Sequence, residues 1–363
     1  MERRKFIKNS AAASMLVSMG TVFSCSSSTD TLKILVLGGT YFLGPAIVQA
    51  ALQHHHAVTL FNRGITNPTL FPNLNLIKGD REKGIASYDP LTKEQWDVVI
   101  DVWPQKSKLV NEATMALMKH TKHYVFISSI AVYHDFDQVG LNEEYKLVDL
   151  DLERSEWGYP EEKLAAELFV KARFEHNHTI IRAGAIKGWR DPAMDLLYWC
   201  IKLNRDDSII APGSGLDHLQ FIDVADVGRF AVMAAENKFQ GAYNCLGPQE
   251  NVLTWKDFLV LAKEQFNSKT ELIWASEDFL RANKVSAFSD LPLWTPLSED
   301  GFMQINNVKL LQSGFKFTPV HKTLEDCMGW YTDNGAALAF GTNEISLGLT
   351  RDRELQLIGK LKV

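Results

Sequence analysis

Tyr159-Pro160-Glu161-Glu162-Lys163 sets a phenol and an ammonium four residues apart, a spacing that places both on one face of a helix. A cation beside a phenol lowers its pKa, so Tyr159 is expected to pass a proton to or from a substrate hydroxyl near neutral pH. Pro160 suits the first turn of such a helix, where its missing N–H costs nothing. The pair alone is a common helix face and needs a third member. Residues 123–127 read as a strand running into Ser128-Ser129-Ile130-Ala131-Val132-Tyr133, so hydroxyls emerge at a sheet edge of the kind where open α/β folds bind ligands. Ser129 is expected to hydrogen-bond the reacting oxygen and steady the charge that develops there. Taken alone, the two serines would simply satisfy strand-end backbone groups.

These side chains need elements to hold them, and the first is a glycine-rich loop. Leu37-Gly38-Gly39-Thr40-Tyr41-Phe42-Leu43-Gly44 lies between a strand at 32–37 and a helix at 43–52. Gly38 allows a tight turn, Gly39 leaves room beside a pyrophosphate, and Gly44 lets helix and strand approach, which points to a dinucleotide. At the end of a second strand, 57–61, the place of a ribose-binding carboxylate holds Asn62 and Arg63; the guanidinium can clamp a 2′-phosphate, so NADP is as acceptable as NAD. Asp80 and Arg81 follow a third strand, 74–77, and are expected at the adenine. Asp101 ends a fourth strand, 96–101, and completes the expected cofactor set.

A helix at 160–174 and a sixth strand at 179–182 finish the alternation, which predicts an α/β Rossmann fold: a doubly wound parallel sheet over residues 32–185. From 186 to 335 the rhythm loosens into helices at 194–203, 224–235, 255–265 and 324–331, expected to form a smaller substrate-binding lobe partly interleaved with the Rossmann core. Tyr133, Arg190 and His218 are its candidate substrate contacts. Residues 336–363 form a tail with a helix from Thr350 to about 361.

A net charge of -6 argues against a nucleic-acid partner. Arg3-Arg4-Lys5 ahead of a short, weakly apolar stretch has the layout of a twin-arginine export signal over 1–25, too short and polar for a transmembrane span. Cys25 is a possible lipid anchor and 26–31 a tether, so a periplasmic or membrane-anchored lipoprotein is expected. Cys200, Cys245 and Cys327 show neither a disulfide framework nor metal spacing. His54-His55-His56 reads as a helix C-terminus rather than a metal site, because neighbours at a helix end are not expected to converge on one point.

The glycine loop, Ser128 to Tyr133 and Tyr159-x-x-x-Lys163 together resemble the NAD-dependent epimerase/dehydratase family of extended short-chain dehydrogenase/reductases. Residues 182–188, 220–227 and 241–244 are similar to later landmarks of that family. The resemblance implies Ser129, Tyr159 and Lys163 as the catalytic set, with Lys163 also holding the nicotinamide ribose. It implies hydride exchange at a hydroxyl of a sugar or sugar-nucleotide-like small molecule. The alternatives are an NADPH-dependent reductase of a small carbonyl compound and a non-catalytic dinucleotide- or RNA-binding protein of the stem-loop-binding type. Either a monomer or a homodimer is compatible. Two positions depart from the usual pattern: Tyr41 stands where a middle glycine is common, and Ala183 where a proline is.

Overall fold

The computed structural model describes residues 31–362 except 103–104, 155, 249–251, 335–339 and 341–344. The expected export signal and Cys25 lie outside the described residues.

Short runs of Val, Ile and Leu form strands whose two faces are both covered, the pattern of a parallel sheet. They are β1 (Lys33–Leu37), β2 (Ala57–Asn62), β3 (Asn75–Lys78), β4 (Trp96–Asp101), β5 (Thr121–Ser129), β6 (His178–Ala183) and β7 (Gly241–Cys245). All pair in parallel, in the order β7-β6-β5-β4-β1-β2-β3. The winding reverses between β1 and β4, so a crevice opens there at the carboxyl ends. The register brings Leu37 level with Phe61 and Asp101, and Ser129 level with Ala183.

Side-chain alternation splits each strand between two cores. Ile34 and Val36 join α1 (Leu43–Gln53) and α5 (Val224–Asn237), whereas Leu35 and Leu37 join α2 (Ser107–Leu117) and α3 (Tyr159–Arg173). Gly228 makes the first layer thin: a Cβ there would stand 2.6 Å from the Ala46 carbonyl carbon. The lobe is built from α4 (Asp195–Arg205), α6 (Trp255–Gln265) and a parallel ribbon of Ser208–Pro212 with Glu271–Ala275. Its last helix, Arg351–Leu361, starts as expected at Thr350, whose Oγ1 accepts from the Arg353 N–H. That helix packs Leu357 and Ile358 into the lobe core and buries Glu354, which receives Lys202 at 2.5 Å and the Ile210 N–H at 3.0 Å.

Two elements go beyond the sequence reading. Helix α2 has no side-chain cap at its N-terminus and carries Thr114 and Asn111 among its apolar positions, so its start gives no local signal. Strand β7 contains Gly241 and Asn244, poor strand formers, and is a strand because β6 lies beside it. Among the described residues no helix is long and apolar enough to cross a membrane.

Candidate active site

The loop after β1 leaves its strand through Gly38 at φ 120° and Gly39 at φ 94°, a region open to glycine and strained for other residues. A Cβ at Gly38 would meet the Val102 side chain at 2.5 Å, and one at Gly44 would meet the Gly39 backbone at 2.7 Å. The amide of Asn62 braces the turn, donating to the Gly38 carbonyl and accepting from the Gly64 N–H, both at 2.8 Å. Helix α1 then begins with no side-chain cap and no acidic residue in its first turn. Gly44 already donates to the Tyr41 carbonyl at 2.9 Å and Pro45 has no N–H, so the helix start offers an anion its dipole and the Leu43 N–H. Tyr41, 61% exposed, flanks the crevice without needing a positive φ; the adjacent Phe42 takes it instead, at 41°. Gly44→Val should cost dinucleotide binding roughly 1–3 kcal/mol through the forced backbone shift. Quenching of bound-nucleotide fluorescence, with circular dichroism to show an intact fold, measures it.

A cavity of about 500 Å³ runs from this loop to the carboxyl end of β5, and Ser129, Tyr159 and Lys163 all line it, together with Gly38 to Gly44, Asn62 and Arg63. Strand β5 extends through Ser129, whose Oγ accepts from the Ala131 N–H at 3.2 Å and also hydrogen-bonds the Tyr159 phenol. Both readings of the serine therefore hold at once. Tyr159 opens α3 and is 47% exposed; Lys163, one turn on, is buried and donates to the Ile127 carbonyl at 2.8 Å. The electrostatics differ from expectation. Lys163 stands 5.7 Å from the centre of the Tyr159 ring, and burial raises the phenol pKa, with the Ser129 hydrogen bond pulling it back. In this state Tyr159 holds its proton.

Two buried arginine–carboxylate pairs lie beneath. Arg81 grips Asp101 with two bonds of 2.7 and 2.9 Å and also reaches the Tyr88 hydroxyl and the Leu109 carbonyl; Tyr124 donates to the same carboxylate. Arg182 grips Glu167 at 3.0 and 2.9 Å, and Ser128 donates to Glu167 at 2.7 Å. Arg81 and Asp101, expected as cofactor contacts, thus meet each other inside the protein, because a buried cation must pair and a strand-end carboxylate is the nearest partner. Asp80 does not line the cavity either: it caps a short turn by accepting from the Glu82 N–H.

The expected substrate contacts are scattered. Tyr133 is buried, its hydroxyl donating to Asn244 at 2.5 Å beside Arg182, and burial pushes its pKa up to about 12. Arg190 lies 5.8 and 5.9 Å from the rings of Trp189 and Trp330, and His218 is held by Asp300 at 2.8 Å. Neither lines the cavity. Val102 and Ile65 do, and sequence reasoning missed them, apolar residues with no motif of their own.

A model of the NAD dependent epimerase/dehydratase family matches residues 34–245, more than half of the chain. The chain belongs to that family. It is an NAD-dependent epimerase/dehydratase-type enzyme by membership, and its fold agrees with solved members. The enzyme WbmH of Bordetella bronchiseptica, solved with NAD+, superposes with a TM-score of 0.56 at 16% identity, covering 84% of this chain and 100% of that one. A UDP-N-acetylglucosamine 4-epimerase of Methanobrevibacter ruminantium, solved with UDP-N-acetylmuramic acid, gives 0.61 at 17%, covering 84% and 99%. Among curated proteins, a chloroplast stem-loop binding protein of Arabidopsis thaliana is 30% identical over 120 residues, 30% of this chain and 32% of that protein. That match spans about a third of the relative's length.

The family's dinucleotide suits the residues present: the glycine cradle, which a Cβ would fill, would take the pyrophosphate, and Lys163, on the wall of the same cavity, would be the group to meet the nicotinamide ribose. Arg63, exposed at the end of β2, has no ion pair or hydrogen bond among the described residues, and no carboxylate stands beside it in the cavity wall. On the far side of α1, His54 and His56 do converge, contrary to expectation, with Glu236; their ligand atoms lie within 4.8 Å of one another. They do not make a metal site. The Leu32 N–H donates to His56 Nδ1 at 3.2 Å, so Nε2 carries the proton that faces Glu236 and has no lone pair to offer.

Burial brings the Lys163 ammonium from 10.5 down to about 8, although Asp101 and Glu167 pull the other way. Between those values the unfolded chain holds a proton that the folded one has released. The contribution is full above 10.5 and is lost as pH falls through about 8. Lys163→Met should therefore be the more stable protein near neutral pH, by up to roughly 3 kcal/mol, with the gap closing as pH rises through that window. Urea unfolding of both proteins across this range tests it.

Proposed function

We propose that the chain interconverts a secondary hydroxyl and its ketone, first among candidates a hydroxyl of a sugar-like molecule, at the wall shared by Ser129, Tyr159 and Lys163. The observation that carries the reading is that these three line the same cavity as the glycine cradle. When bound, the nicotinamide supplies the hydride acceptor and donor. Tyr159 takes the hydroxyl proton in oxidation and returns it in reduction. Ser129 holds the same oxygen by hydrogen bond, and Lys163 fixes the cofactor's ribose.

With Tyr159 protonated in the free state, the site is poised to donate, which suits the reductive half-step. A second reading, reduction of a small carbonyl compound with NADPH, draws support from exposed Arg63 at the end of β2, which has no partner among the described residues. The twin-arginine pattern at Arg3-Arg4 supports work outside the cytoplasm, in the periplasm or anchored through Cys25. There a tightly held cofactor, oxidised and reduced within one cycle, is the economical arrangement. Mass spectrometry of the nucleotide released on denaturing the purified full chain tests this: one equivalent of NAD or NADP is expected, and its absence, together with a rate that follows added NADPH, replaces the recycling enzyme with a reductase.

A further inference from the structure

A second chamber, about 410 Å³, opens on the other side of Ser129 from the glycine loop and shares Ser129 and Gly184 with the first. Its position makes it the space for whatever presents an oxygen to Ser129. Ile130, Val148 and Ala185 supply apolar wall, and Phe136 and Phe302 meet edge to face at 5.0 Å. Phe288 extends the aromatic group beyond Phe302 at 5.8 Å. The wall is built deliberately close. A Cβ at Gly301 would fall 2.1 Å from the Phe136 carbonyl oxygen, and the two segments are stitched by Gly140 N–H to the Gln304 carbonyl and Asn306 N–H to the Leu141 carbonyl.

Among the described residues no lysine or arginine lines this chamber; His134 does, with its Nε2 3.3 Å from the Lys146 ammonium. The buried guanidinium behind it, Arg182, is spent on Glu167 and the Glu143 carbonyl, and the Tyr133 hydroxyl on Asn244. Arg190 and His218, the lobe cations that might have reached a phosphate, are held elsewhere by tryptophan rings and by Asp300. On the opposite flank of Tyr159, Lys106, Lys108 and Arg154 each face a carboxylate, at 3.9, 3.9 and 3.3 Å. Enclosing a diphosphate without cations or a row of donors costs many kcal/mol, whereas an apolar ring face loses nothing by leaving water there.

We infer that the substrate is an uncharged ring alcohol or ketone whose apolar face packs on Phe136 and Phe302, and that a nucleotide-diphosphate sugar is excluded. The inference rests on the hydride-exchange reading of Ser129 and Tyr159. The reacting carbinol oxygen faces Ser129 Oγ; once Tyr159 has released its own proton to solvent, its phenolate takes the hydroxyl proton, and the hydride on the carbinol carbon passes to the oxidised dinucleotide, leaving the ketone.

Full-length protein saturated with oxidised dinucleotide is titrated with cyclohexanol by saturation-transfer NMR, and UDP-glucose is added as competitor. Saturable cyclohexanol binding is expected, with no displacement by UDP-glucose in about tenfold excess. Phe302→Asp should weaken it about tenfold and Phe302→Leu should not, the latter guarding against a simple folding defect. Displacement by UDP-glucose, or no saturable binding by the wild type, overturns the inference. Growth of reduced-nicotinamide absorbance in the same sample reports the hydride step separately: binding that obeys Phe302 without that absorbance upholds the substrate class and overturns the reaction.

Discussion

Tyr159→Phe is expected to lower turnover by about 10²–10⁴-fold while dinucleotide affinity stays within about twofold. The change removes one oxygen and nothing else. The ring remains at the first turn of α3, 47% exposed and beside Lys163, so the cavity wall and the Lys163 to Ile127 bond are preserved. What is lost is the atom that exchanges a proton with the substrate and meets the Ser129 hydroxyl. Tyr133, the other tyrosine near Ser129, cannot substitute, because its phenol is buried, committed to Asn244 and raised to about 12. Single-turnover absorbance of the nicotinamide, paired with nucleotide titration, separates the two quantities. Turnover unchanged in the variant would remove Tyr159 from the chemistry.

The second large effect lies below the cavity. Arg81→Met should destabilise the protein by about 3–5 kcal/mol, because it leaves the fully buried Asp101 carboxylate with its cation gone. Arg81→Met combined with Asp101→Leu should recover much of that loss, since a buried ion pair contributes little beyond what apolar packing of similar volume supplies. Urea midpoints of the three proteins decide it. Had Arg81 been an adenine contact, its removal would weaken nucleotide binding and leave the urea midpoint in place. The same pair bears on Lys163, whose ammonium feels Asp101 as an attraction and Arg81 as a repulsion, so the single variant should also move the pH at which Lys163 releases its proton.

Much of the site could be read from residue order. The glycine loop was legible because Gly38, Gly39 and Gly44 answer to backbone demands local to a strand, a turn and a helix start. The Tyr159 and Lys163 pair was legible because a helix converts a spacing of four into a shared face. Asp101 and Arg81 were misread because both look like rim residues in the chain. Only the alignment of β1, β4 and β5, with Tyr88 and Tyr124 closing around them, turns the guanidinium inward. His54 and His56 were misread for the same reason: their meeting point is Glu236, about 180 positions away on α5.

The order of residues alone determined what depends on near neighbours: the alternation of buried strands and helices, the cradle for a phosphate, and the phenol, amine and hydroxyl fit for proton and hydride exchange. The tertiary structure decided what depends on distant partners: which charges are consumed in buried pairs, that β7 is a strand at all, and that the space beyond Ser129 is walled by Phe136 and Phe302, 166 positions apart. The physical reason is common to all three. Backbone geometry acts within a few residues, whereas burial and the pairing of charge are properties of groups that only folding brings into contact.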